Sequence, residues 1–154
     1  MKFNGKTDIE APLNTTFAQF ADFETFERFG LQSGAEIRRI DDLQSPGPGM
    51  MWDVKLDYKA KLRKVTVELV DYDPPNSLTF AAKSASVDAH ILIDLLPLSA
   101  RVTRAAVTID LAPKSLPARL AVQSARLTKG ALTRRFQKRL GNFGAAIEDR
   151  IKMA

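Results

Sequence analysis

Pro48–Tyr58 reads PGMMWDVKLDY. Met50, Trp52, Val54, Leu56 and Tyr58 fall on one parity, and Met51, Asp53, Lys55 and Asp57 on the other. Such alternation puts one face of a β-strand in water and the other against apolar neighbours. The dry face looks either at a packed core or at a cavity, and the segments on both sides bear on which.

Downstream, the same two-residue period returns several times. KVTVELVDYDPPNS carries Val65, Val67 and Leu69 on one face before Pro74 and Pro75 stop it, and LTFAAK follows as a short strand. SVDAHILIDLLP places Val87, Ala89, Ile91, Ile93 and Leu95 inward, and RVTRAAVTIDLAP does so with Ala105, Val107, Ile109 and Leu111. Short spacers rich in turn residues join these runs, as in an antiparallel meander. Upstream of the opening stretch, SPGPG is turn chemistry. AEIRRIDDL is a weaker strand whose Ile37 and Ile40 lie on opposite parities, which predicts a bulge or a twist.

The N-terminal part begins with a strand, Phe3, Gly5, Thr7 and Ile9 alternating with Lys2, Asn4, Lys6 and Asp8. A helical pattern starts at Pro12, with Asn14 as the expected N-cap. Phe17, Phe20, Phe23, Phe26 and Phe29 recur every three residues. One long helix would spread five such rings around its side, so two short helices broken near Asp22 are expected, all five rings sharing one buried surface. Gly30 and Gly34 are expected to end the segment.

From Leu116 the period becomes helical. Leu116, Leu120, Leu127, Leu132, Phe136, Leu140, Phe143, Ile147 and Ile151 form one stripe, with Arg126, Lys129, Arg134, Arg135, Lys138 and Arg139 mostly off it. A single helix from about Leu116 to Lys152, lying across the sheet, is predicted. Gly130, Gly141 and Gly144 within it point to close packing, a bend or fraying.

The 154 residues fit one domain over 1–154, and 45% hydrophobic with 27% charged residues is an ordinary globular balance. No apolar run nears the roughly 18 residues that span a bilayer. The polar start MKFNGKTDIEAP and the lack of cysteine make the cytoplasm the expected compartment, with no disulfide and no thiolate site. Of the formal +5 charge, the segment 115–154 supplies more than all, with nine Arg and Lys against Glu148 and Asp149. Such a stripe is most simply a solvated helix face; it also suits an anionic membrane surface or a protein partner. Nucleic acid is not expected, because the cations lack interleaved exposed aromatics.

Chemistry-bearing residues are sparse. His90, the lone histidine, has outward parity. Ser84, His90 and Asp88 can be written as a triad, but neighbours on one strand do not supply an oriented base. The carboxylates Asp41, Asp42, Asp71 and Asp73 sit beside turns without metal-ligand spacing. No catalytic residue, metal or cofactor is expected.

The order strand, two short helices, five or six antiparallel strands, long helix resembles the START-like, or SRPBCC, superfamily with its helix-grip fold. IEAPLNTTFAQFADFETFERF, VTVELVDYDPPNSLTF and the long last helix carry the resemblance, and the chain is most similar to polyketide cyclase-like or carbon-monoxide-dehydrogenase-subunit-like members. The implied architecture is α+β: a curved antiparallel sheet gripping a C-terminal helix, with a cavity between them. A binding or carrier protein for a small hydrophobic molecule such as a lipid, isoprenoid or polyketide is the expected function, because it requires only an apolar cavity and asks no catalytic constellation of a sequence that shows none. The expected cavity-lining residues are Trp52, Val54, Tyr58, Val67, Phe80, Ile93, Val107 and Phe136. An alternative is a cyclase, dehydratase or hydrolase acting on such a molecule, for which Tyr58, Tyr72 or Arg63 would have to face inward. A third reading is an adaptor docking on membrane or a partner through Arg134, Arg135, Lys138 and Arg139.

Overall fold

The computed structural model describes residues 1–153 except Lys59, and only the backbone of Tyr58. The alternating runs become β1 (Lys2–Ile9), β2 (Glu36–Arg39), β3 (Met51–Tyr58), β4 (Lys61–Asp73), β5 (Ser77–Lys83), β6 (Val87–Pro97) and β7 (Thr103–Pro113). They form one curved antiparallel sheet in the order β1-β7-β6-β5-β4-β3-β2. Only the β1–β7 pairing is non-sequential; the others join neighbours in the chain. A register shift between Leu69 and Asp71 moves the inward face of β4 from odd to even residues. Leu69 is therefore fully buried, whereas beyond the shift it is Tyr72 that turns in, against Phe17 at 5.7 Å.

α1 (Leu13–Phe20) and α2 (Phe23–Gln32) bear out the two-helix expectation. The break is set by Asp22, whose carboxylate accepts from the Thr25 backbone N–H and hydroxyl as the N-cap of α2. Details differ. Pro12, not Asn14, occupies the N-cap of α1, and no side chain caps it. Helix α2 runs through Gly30, which is buried against Ile37, and the positive φ follows at Gly34. Phe29 leaves the buried surface and is 62% exposed, because at about 100° per residue it lies about 120° round the helix from buried Phe23.

The predicted single C-terminal helix is two helices, α3 (Leu116–Leu127) and α4 (Lys129–Met153). Ser115 caps α3 by accepting from the Ala118 N–H, with Pro117 in the first turn. The break falls at Thr128, where a β-branched residue precedes Lys129-Gly130 and its hydroxyl donates back to the Ala125 carbonyl. Leu140, Gly144 and Ile147 are the buried side of α4.

Helix α4 seats on β1 by close approach at two glycines. A Cβ on Gly5 would stand 2.9 Å from the Phe136 ring, and one on Gly144 would stand 2.7 Å from the Thr7 hydroxyl. Of the other two helix glycines, Gly130 adjoins the break and Gly141 faces open space. Gln137 then bonds the exposed edge of β1 on both sides of one residue, accepting from the Lys6 N–H at 3.0 Å and donating to the Lys6 carbonyl at 2.6 Å. An edge strand is thus covered by helix side chains. At the far edge, β2 is four residues long. Asp41 just beyond it accepts from Arg39, from the Leu43 N–H and from the Met51 N–H, which holds its carboxyl well below the usual carboxylate range.

Candidate functional site

Between the concave face of the sheet, α2 and α4 lies a cavity of about 360 Å³. This is within the size range of small-molecule sites. The sheet contributes Trp52 and Val54 from β3, Val67 from β4, Phe80 from β5, Ile91 and Ile93 from β6, and Val107 from β7. These belong to the inward parities, so the pleat alone aims them at one space. Leu140 and Phe143 of α4, Phe20, Phe23, Phe26 and Glu27 of the paired helices, and Ile37 of β2 close the rest.

Aromatic rings form the stiff part of the wall. Phe23, Trp52 and Phe80 make a three-ring cluster with centroids 5.4–6.4 Å apart. Phe143 of α4 meets Phe20 edge-on at 5.6 Å and stacks on Phe26 at 5.9 Å. The dry face of β3 therefore has both kinds of neighbour: Trp52 packs against rings and also borders open space. Its indole N–H donates to Glu27 Oε1 at 2.9 Å, which satisfies a polar group that the wall would otherwise leave bare.

Six of the eight expected lining residues stand on this wall: Trp52, Val54, Val67, Phe80, Ile93 and Val107. Phe136 does not. It lies against Gly5, where the helix comes down on β1, so its ring fills the helix–strand contact instead of the cavity. The Tyr58 side chain is outside the described residues. Phe20, Phe23, Phe26, Glu27, Ile37, Ile91, Leu140 and Phe143 complete the wall.

The other chemistry-bearing residues lie elsewhere. His90 is exposed on the opposite face of β6. Ser84 is committed to a turn, its hydroxyl donating to the Val87 carbonyl at 2.6 Å, and Asp88 pairs with Lys114 at 2.9 Å. The triad geometry is therefore not formed. Tyr72 packs on Phe17 and is not a wall residue, and Arg63 shares the inward parity of Val65 and Val67 but stands off the wall. No metal-binding cluster occurs among the described residues. Arg134, Arg135, Lys138 and Arg139 are all exposed on α4, away from its buried side.

No protein-family model and no curated protein sequence matches the chain. Solved structures do. The Zhui aromatase/cyclase from Streptomyces sp. R1128 superposes with a TM-score of 0.71 at 14% identity, over 98% of this chain and 95% of that one. A protein from Thermus thermophilus gives 0.70 at 13% identity, over 99% and 98%. A START superfamily protein from Mycobacterium smegmatis gives 0.58 at 12% identity, over 89% and 97%. The fold is the helix-grip, START-like fold.

Proposed function

We propose that the protein binds a small hydrophobic molecule in the cavity between sheet and helices and acts as its carrier. The observation that supports this reading most is the wall itself: thirteen of its fourteen side chains are apolar and one, Glu27, is ionisable. A pocket of this make-up solvates hydrocarbon and offers few groups for acid–base work. Lipids, isoprenoids and polyketide-like molecules are the class it fits. The similarity to an aromatase/cyclase keeps a second activity, ring closure or dehydration of such a molecule, as the alternative. Tyr72 and Arg63 standing off the wall favour the carrier. The test is native mass spectrometry of gently purified protein with solvent extraction of cargo, alongside titration of Trp52 fluorescence with a neutral hydrophobic probe. A co-purifying apolar molecule displaced by the probe is expected; an empty protein whose single tryptophan ignores every probe would end the carrier reading.

A specific surface feature supports cargo exchange at an anionic membrane, which suits work in the cytoplasm. Helix α3 is turned inside out. Ala118, Val122 and Ala125 occupy its inner side, while Leu116, Leu120 and Leu127, within about 40° of one another on the helix, are 69%, 55% and 89% exposed. Between Leu111 and Ile147 the sequence has eight Lys and Arg and no acid. Exposed leucines beside such a charge field match a helix lying in a lipid interface, with about 1 kcal/mol contributed by each cation near an anionic surface. Vesicles containing anionic lipid should bind the protein, and binding should weaken as salt rises. Reversing the charge of Arg134, Arg135, Lys138 and Arg139 should abolish it, and changing the three leucines to serine should weaken it about tenfold or more without unfolding the protein. Equal binding to neutral vesicles, or self-association through the leucines in its place, would refute membrane docking.

A further inference from the structure

Glu27 sits half-buried in an otherwise apolar wall. A carboxylate beside hydrocarbon is unfavourable unless its oxygens find donors. One does: Oε1 accepts from Trp52 at 2.9 Å. Among the described residues Oε2 has no hydrogen-bond partner, and no Lys or Arg forms an ion pair with Glu27. Arg39, a cation near Glu27, gives its guanidinium to Asp41 through two bonds of 2.9 Å. The wall thus holds a fixed acceptor with spare capacity, locked in place by an indole.

We infer that Glu27 sets the ligand class: the cavity takes an apolar molecule carrying a hydroxyl that donates to this carboxylate, and rejects the corresponding carboxylic acid. The inference rests on the cavity reading and adds a polarity to it. An ionised ligand carboxylate would bring a second negative charge into a site with no cation on its wall, where repulsion is poorly screened. An ammonium would pair with Glu27 but would surrender its hydration to a site that offers it one partner. A hydroxyl meets both requirements: it is cheap to desolvate and donates one hydrogen bond to an ionised acceptor, the stronger kind.

A rival anchor exists. Arg63 shares the inward parity of β4, and its Nε is buried without a partner. Were Arg63 to meet the ligand, the preference would reverse in favour of acids.

Decanol, decanoate and decane, each displacing a neutral fluorescent probe at neutral pH where decanoate is ionised, separate these cases. Wild-type protein is expected to release the probe at about tenfold lower decanol than decanoate concentration, the scale of one hydrogen bond to a charged group. In Glu27→Gln, which keeps an acceptor but not the charge, decanoate should come within about threefold of decanol. In Glu27→Ala, decanol should fall to the level of decane. Decanoate binding as well as or better than decanol in the wild type would overturn the inference, and loss of that preference in Arg63→Met would assign it to Arg63. Probe displacement by all three molecules alike would overturn it while leaving the cavity reading intact; a probe that never binds would remove the cavity reading itself.

Discussion

Phe20→Ala is expected to destabilise the fold by about 3–5 kcal/mol, the usual range for truncating a buried ring. Phe20 is 3% exposed and meets Phe143 edge-on at 5.6 Å, so its ring joins α1 to α4 through the core. Its removal takes away both the buried area and the contact that fixes how the long helix crosses the sheet. Phe26→Ala makes the informative comparison. Phe26 also packs on Phe143, at 5.9 Å, and like Phe20 borders the cavity, but it is only half-buried. Both rings border that cavity, but Phe26 is already partly in solvent, so its removal takes away less buried area and should cost less, about 1–2 kcal/mol less than Phe20→Ala. Urea unfolding of both variants measures the difference. Equal losses would mean that the partial exposure of Phe26 does not set its energetics.

Much of this architecture is legible in the sequence because pleated strands repeat every two residues whatever they face. Parity alone aligns Trp52, Val54, Val67, Phe80, Ile93 and Val107, and the structure brings them to one wall. The helical residues are harder to place. A stripe of period three or four identifies the buried side of a helix but not what that side meets, so Phe136, packed on Gly5, is indistinguishable in sequence from Leu140 and Phe143. The stripe read from Leu116 to Ile151 changes sides at 100° per residue, and that change of side coincides with the break at Thr128. On an ideal helix Leu116, Leu120 and Leu127 lie within about 40° of one another and roughly opposite Phe136, Leu140, Phe143 and Ile147, and on α3 these leucines face solvent. Glu27 does leave a signal in the sequence. It lies four residues after Phe23 and one after Phe26, an acid within an apolar helix side, which is costly unless a partner waits. The partner, Trp52, is twenty-five residues away, and only the folded sheet reveals it.

Filling the cavity should separate ligand binding from stability more sharply than any truncation. Val67→Trp on β4 and Ile93→Phe on β6 each point added rings into the same open space. In a packed interior such enlargement forces neighbours apart and costs about 1–3 kcal/mol. Leu69→Phe provides that reference, since Leu69 is wholly buried on β4 and is not a wall residue. At the wall, the new ring replaces solvent or cargo, so the melting temperature should hold or rise. Affinity for a hydrophobic probe should nevertheless fall by more than about tenfold, because the ring takes the volume the probe needs and a 360 Å³ site has little to spare. Trp52 itself reports the outcome in Ile93→Phe, which keeps it as the single tryptophan. If Val67→Trp loses as much stability as Leu69→Phe and Ile93→Phe still binds the probe fully, the space beside Trp52 is not where ligand resides. If stability holds and binding disappears, the apolar face of the strand that carries Trp52 owes its composition to cargo as much as to folding.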